Sequence, residues 1–162
     1  MTVTDELLEA NASYATSFDK GDLPMPPGRH VAVVACMDAR LDVYRLLGLS
    51  LGEAHVIRNA GGVVSDDVER SLVISQRLLG TDEIVLVHHS DCGMLTFGDD
   101  DVKAQILAET GQRPRFALEA FPDLEDDVRQ SMARVKASPF LPHKDVRGFV
   151  FDVKTGRLNE VR

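Results

Sequence analysis

The chain is predicted to fold as an α/β domain, with a mostly parallel central sheet flanked by helices. Two apolar runs, "HVAVVACM" (30–37) and "DEIVLVHH" (82–89), show no alternation, as expected of strands buried on both faces of a parallel sheet. Helical patterns separate such runs, and strands alternating with helices make a parallel sheet. The size agrees: 162 residues, 44% hydrophobic and 27% charged, fit one ordinary globular domain spanning 1–162.

Residues 4–18 place Leu7, Leu8, Tyr14 and Phe18 on a narrow helical stripe that Thr4 or Asp5 is placed to cap. "GDLPMPPGR" then breaks regular structure, so that 1–20 reads as a helical arm and 21–29 as a Pro-rich linker. An apolar stripe on such an arm predicts packing across a partner subunit. "LDVYRLLG" (41–48) reads as a short helix closed by Gly48, and "EAHVIRNAGG" (53–62) as a strand running into paired glycines. "SDDVERSLVISQRLLG" (65–80) has acids in its first turn, Val68, Leu72, Ser75 and Leu79 on one face, and Gly80 as its stop. Residues 99–136 read as acidic and helical, with Leu124, Val128, Met132 and Val135 as the clearest stripe. "VRGFVFDVKTGRLNEV" (146–161) predicts a last strand, a "KTG" turn and a short return.

A formal net charge of −8 argues against non-specific binding to nucleic acid or anionic membrane. No apolar run approaches the length of a membrane span, and the acidic N-terminus lacks the pattern of a signal peptide. A cytoplasmic, reducing location is therefore expected, with the two cysteines serving metal or chemistry rather than a disulfide.

Both cysteines stand at predicted strand ends. In open α/β sheets the ligand crevice lies beyond the carboxyl ends of the strands. Cys36 ends one strand, and His89 and Cys92 follow the end of another in "HHSDCG". A Cys₂His set leaves one tetrahedral position of zinc open, the mark of a catalytic site, and soft thiolates with imidazole favour zinc over magnesium or calcium. The short His-x-x-Cys spacing selects His89, while His88 faces the other way along the strand and reads as structural. If "CMDAR" stays extended, Cys36, Asp38 and Arg40 share a face: a ligand, a carboxylate beside the metal, and a cation controlling it. A phosphatase loop of the Cys-x₅-Arg kind needs arginine at 42, where Asp42 stands. Asp91 reads as shaping the turn between ligands, and the glycines of "RNAGG" as admitting close backbone approach. For Arg58 a subunit ion pair and a pocket ion pair both stay open.

"CMDAR", "LGEAHVIRNAGG" and "HHSDCG" together resemble the β-class carbonic anhydrases, whose zinc motifs are Cys-x-Asp-x-Arg and His-x-x-Cys. The likeness covers residues 30–98 closely, and the short chain looks most like the compact microbial branch. It implies one zinc ion per chain on Cys36, His89 and Cys92, with Asp38 and Arg40 as the family's dyad and Asp38 a fourth ligand in a closed form. It implies reversible hydration of carbon dioxide to bicarbonate, and a homodimer or higher homo-oligomer with the N-terminal helix on a neighbour. Members that hydrolyse carbonyl sulfide or carbon disulfide share these motifs, and a non-catalytic bicarbonate-binding module with a permanently closed site is the non-enzymatic alternative. The family's pocket positions fall on His55 and Ala60, beside Gly61. Pro27 replaces the glutamine of plant-type members, and the chain has no tryptophan for the separate bicarbonate pocket of some bacterial ones.

Overall fold

The structure, a computed structural model, describes residues 2–162. Its sheet has five strands: β1 (Val31–Cys36), β2 (Ala54–Asn59), β3 (Glu83–His89), β4 (Asp145–Phe151) and β5 (Leu158–Val161). They lie in the order β2-β1-β3-β4-β5, with β5 antiparallel and every other pairing parallel. From β1 the chain crosses to β2 on one side and then to β3 on the other. The order therefore reverses between β1 and β3, and their carboxyl ends diverge around a crevice.

One face of the sheet is closed by α3 (Asp66–Arg77) and α5 (Leu124–Ala137). Val68 and Leu72 from α3, and Val128, Met132 and Val135 from α5, bury against Ala32, Val34, Ile84, Leu86 and Val146. Gly148 lets α5 lie tight on β4, because a Cβ there would overlap Val128 Cγ1. The opposite face, Val33, Ala35 and Val87, is covered by Leu41, by Val43 of α2 (Val43–Leu47), and by the loop residues Val63, Met94 and Phe121.

Three local expectations change. The first helix, α1 (Val3–Ala15), is capped by Thr2 rather than Thr4 or Asp5: the Asp5 amide donates to Thr2 Oγ1 while the Asp5 carboxylate accepts from the Thr2 amide at 2.7 Å. The helical stretch 99–136 splits into α4 (Asp99–Thr110) and α5, because Gly111 takes φ +73° and ends α4. Helix α3 stops at Arg77, short of Gly80, and the Thr81 amide donates to Ser75 O as the chain turns toward β3. No residue of α1 is buried, and its Leu7, Leu8 and Tyr14 stand exposed, as does Phe18 beyond its end. Among the described residues no helix is long and apolar enough to cross a membrane.

Candidate metal centre

Strand pairing brings the ligands together. Cys36 closes β1, His89 closes β3, and Cys92 follows after a turn in which Asp91 takes φ +56°. All three are buried, and their ligand atoms lie within 4.8 Å of one another. Tetrahedral ligands at about 2.0–2.3 Å from zinc sit roughly 3.5–4 Å apart, so binding asks only small side-chain movements.

The histidine is prepared for a metal. His89 Nδ1 donates to Ser90 O at 2.8 Å, which leaves Nε2 as the ring's lone pair. That Nε2 is buried without a hydrogen-bond partner, an orphan that a metal ion in the cluster would satisfy. The contact between the two thiols lowers Cys36, and the same contact, with burial, pushes Cys92 up. Two sulfurs and an imidazole in a buried crevice fit zinc.

Beside the cluster the chain does not stay extended. Strand β1 ends at Cys36, and a turn closed by the Leu41 amide on Asp38 O brings Arg40 back onto Asp38. Arg40 Nε and Nη2 donate to the two Asp38 oxygens at 2.9 and 2.8 Å, and the Arg40 amide adds a third bond at 2.9 Å. These donors hold the Asp38 carboxyl well below the usual carboxylate range. Asp38 Oδ2 lies 3.7 Å from His89 Nε2, poised next to the metal position while engaged by arginine. The expected shared face thus arises from a turn, because the guanidinium fork must face its carboxylate to bond it twice.

Within the described chain Arg58 forms no ion pair in the pocket. Its Nε and Nη2 donate to Cys36 O at 3.0 and 2.9 Å, and Nη2 also donates to Asp38 O at 2.7 Å, so it clamps the backbone that carries both residues. The role depends on the β1–β2 register, which the sequence alone does not display. Gly62, at φ +73°, tucks between the strands: a Cβ would stand 2.9 Å from Cys36 N and 3.1 Å from Val87 O. His88 points to the other side, where Nε2 meets Asp127 Oδ2 at 2.7 Å in the core.

A cleft of about 430 Å³ opens over the cluster, walled by Met37, Gly61, Met94 and Phe97. Gly61 is brought to it; His55 and Ala60 are not among the residues that line it. His55 pairs with Ala32, four residues up β1 from Cys36, roughly 13 Å along the strand at about 3.3 Å per residue. Its Nδ1 meets Ser75 Oγ at 2.8 Å instead. Met37, Met94 and Phe97 carry no signal in the sequence beyond their nearness to ligands.

Fold and site together define an α/β protein with a three-ligand Cys₂His centre suited to zinc at the switch point of its sheet. The chain belongs to the carbonic anhydrase family, whose profile matches residues 31–158, and within it to the β class. It is 65% identical over 162 residues to beta-carbonic anhydrase 1 of Mycobacterium tuberculosis, with 99% of each chain covered. The crystal structure of a carbonic anhydrase from Streptococcus mutans superposes with a TM-score of 0.93 at 43% identity, covering 100% of this chain and 99% of that one. A carbon disulfide hydrolase from an Acidianus species is 33% identical over 183 residues, covering 96% of this chain and 87% of its own.

Proposed function

We propose that the protein catalyses the reversible hydration of carbon dioxide to bicarbonate, with one zinc ion held by Cys36, His89 and Cys92. The observation that carries this reading is a three-ligand cluster whose neighbouring carboxylate, Asp38, is engaged by Arg40, leaving a fourth position for the reaction. When bound, zinc acidifies water and supplies a hydroxide nucleophile. Asp38, held ionised by Arg40, would be placed to accept a hydrogen bond from the attacking group and so orient it toward carbon dioxide. Arg40 keeps Asp38 in place, and Arg58 fixes the backbone that carries it. Met37, Met94 and Phe97 supply an apolar wall for an apolar substrate. Two thiolates donate more negative charge than neutral imidazoles, so activity rises toward alkaline pH.

Identity of 65% to a β-carbonic anhydrase, against 33% to a carbon disulfide hydrolase, favours carbon dioxide as substrate. Arg40's hold on Asp38 speaks against a permanently closed binding module. The exposed apolar residues of α1 support a homodimer or larger homo-oligomer in which a second copy covers them, and 1–162 as one domain with that arm. Free buried thiols suit a reducing cytoplasm.

Stopped-flow hydration by protein of known zinc content, from neutral to alkaline pH, tests the proposal. Activity rising with pH is expected. Zinc-loaded protein without hydration anywhere in the range would overturn it, and carbon disulfide would then be the next substrate to measure.

A further inference from the structure

We propose that Asp91 is a positioning residue that acts through Arg40, holding the guanidinium on Asp38 and so keeping Asp38 off the metal position. The proposal rests on the functional reading above, in which Asp38 must be ionised and held away from the ion. Asp91 stands one residue before Cys92 in the turn after β3, whereas Asp38 and Arg40 follow β1. Arg40 Nη1 donates to Asp91 Oδ2 at 2.7 Å, and Arg40 Nη2 donates to Asp91 O at 3.0 Å. With Nε and Nη2 on the Asp38 carboxylate, all but one of the guanidinium's N–H groups are committed. The planar fork is thus gripped from both sides, and the two loops are tied across the site.

An arginine held by Asp38 alone can swing with it. Asp38 Oδ2 is already 3.7 Å from His89 Nε2, so a small rotation of a loosened pair would carry the carboxylate among the ligands. Asp91 resists that rotation by anchoring the other edge of the guanidinium. Both side chains are largely solvent-exposed, 46% for Arg40 and 76% for Asp91, so their pairing adds little to folding stability. What it sets is orientation.

A competing role is local. Asp91 adopts φ +56°, a conformation that aspartate tolerates and glycine prefers, so the residue could serve only to shape the turn. Substitutions at this position separate the two roles. Asp91→Gly suits the turn and removes the carboxylate. Asp91→Asn suits the turn and keeps an oxygen that accepts from Arg40.

The experiment compares parent, Asp91→Gly, Asp91→Asn and Arg40→Ala, each loaded with cobalt(II), by visible absorption, and each loaded with zinc by stopped-flow hydration. The cobalt spectrum reports whether a carboxylate oxygen has joined the sulfur and nitrogen ligands, without needing turnover. Asp91→Gly is expected to move the neutral-pH spectrum toward that of Arg40→Ala and to lower kcat/KM about five- to tenfold. Asp91→Asn is expected to recover the parent spectrum and most of the rate. Asp91→Gly with the parent's spectrum and rate would overturn the proposal and leave Asp91 a turn residue. If the parent itself fails to hydrate carbon dioxide, the functional reading falls, while the cobalt series still decides Asp91.

Discussion

Gly62→Ala should destabilise the protein through the same backbone that positions Cys36. The glycine sits at φ +73°, where an L-residue costs about 1–2 kcal/mol. An added Cβ would also stand 2.9 Å from Cys36 N, 3.1 Å from Ala35 C and 3.1 Å from Val87 O. These are backbone atoms of two paired central strands, which have no rotamer to change. Overpacking of this kind costs about 1–3 kcal/mol, for a total of roughly 2–5 kcal/mol. In a domain of this size each kcal/mol moves Tm by about 2–4 °C, so a fall of roughly 4–20 °C is expected. Gly156→Ala is the control: φ is +72°, but nothing lies within 4 Å of the added carbon. It carries only the conformational cost, a drop of roughly 2–8 °C. Thermal unfolding of both variants at equal protein concentration measures the steric difference, and zinc per chain reports whether Cys36 has moved. A Gly62→Ala protein no less stable than Gly156→Ala, with full zinc content, would refute the claim that Gly62 is required by close approach.

Arg40→Ala should keep zinc and lose hydration by about a hundredfold, since Asp38 is no longer held to orient the nucleophile; metal analysis with stopped-flow rates checks it, and full turnover would sink the dyad. Asp99 accepts from the amides of Ala120, Leu118 and Glu119, which lower its pKa, so Asp99→Ala should speed hydrogen exchange at those amides. Because the folded pKa is depressed, this stabilisation is complete above the ordinary carboxylate range and lost as pH falls through the lowered value; protection of these amides relative to their intrinsic exchange rates should fall only in acid. Zinc affinity should increase with pH, because Cys92, pushed up by its contact with Cys36 and by burial, must lose its proton to ligate; chelator competition across pH measures it, and a flat profile would count against Cys92 as a ligand.

By itself the sequence determined the chemistry and most of the elements. Unbroken apolar runs at 31–36 and 83–89 marked buried parallel strands, because a strand covered on both faces has no polar side to alternate. Val128, Met132 and Val135 marked the buried face of α5 through helical spacing, and the same alternation along β3 separated His89 from His88. Motif spacing marked Cys36, His89 and Cys92, since few residue types ligate soft metals. Only the tertiary structure decided the strand order, which places the ends of β1 and β3 side by side and so turns two distant motifs into one cluster. It also decided that Asp38 and Arg40 meet through a turn, that Arg58 clamps carbonyls, that Asp127 partners His88, and that His55 bonds Ser75, four residues up the strand from the Cys36 end. The physical reason is common to all of these. Periodicity and spacing record which way a side chain faces along its own element, whereas partners across elements depend on register and crossover, which no local pattern encodes.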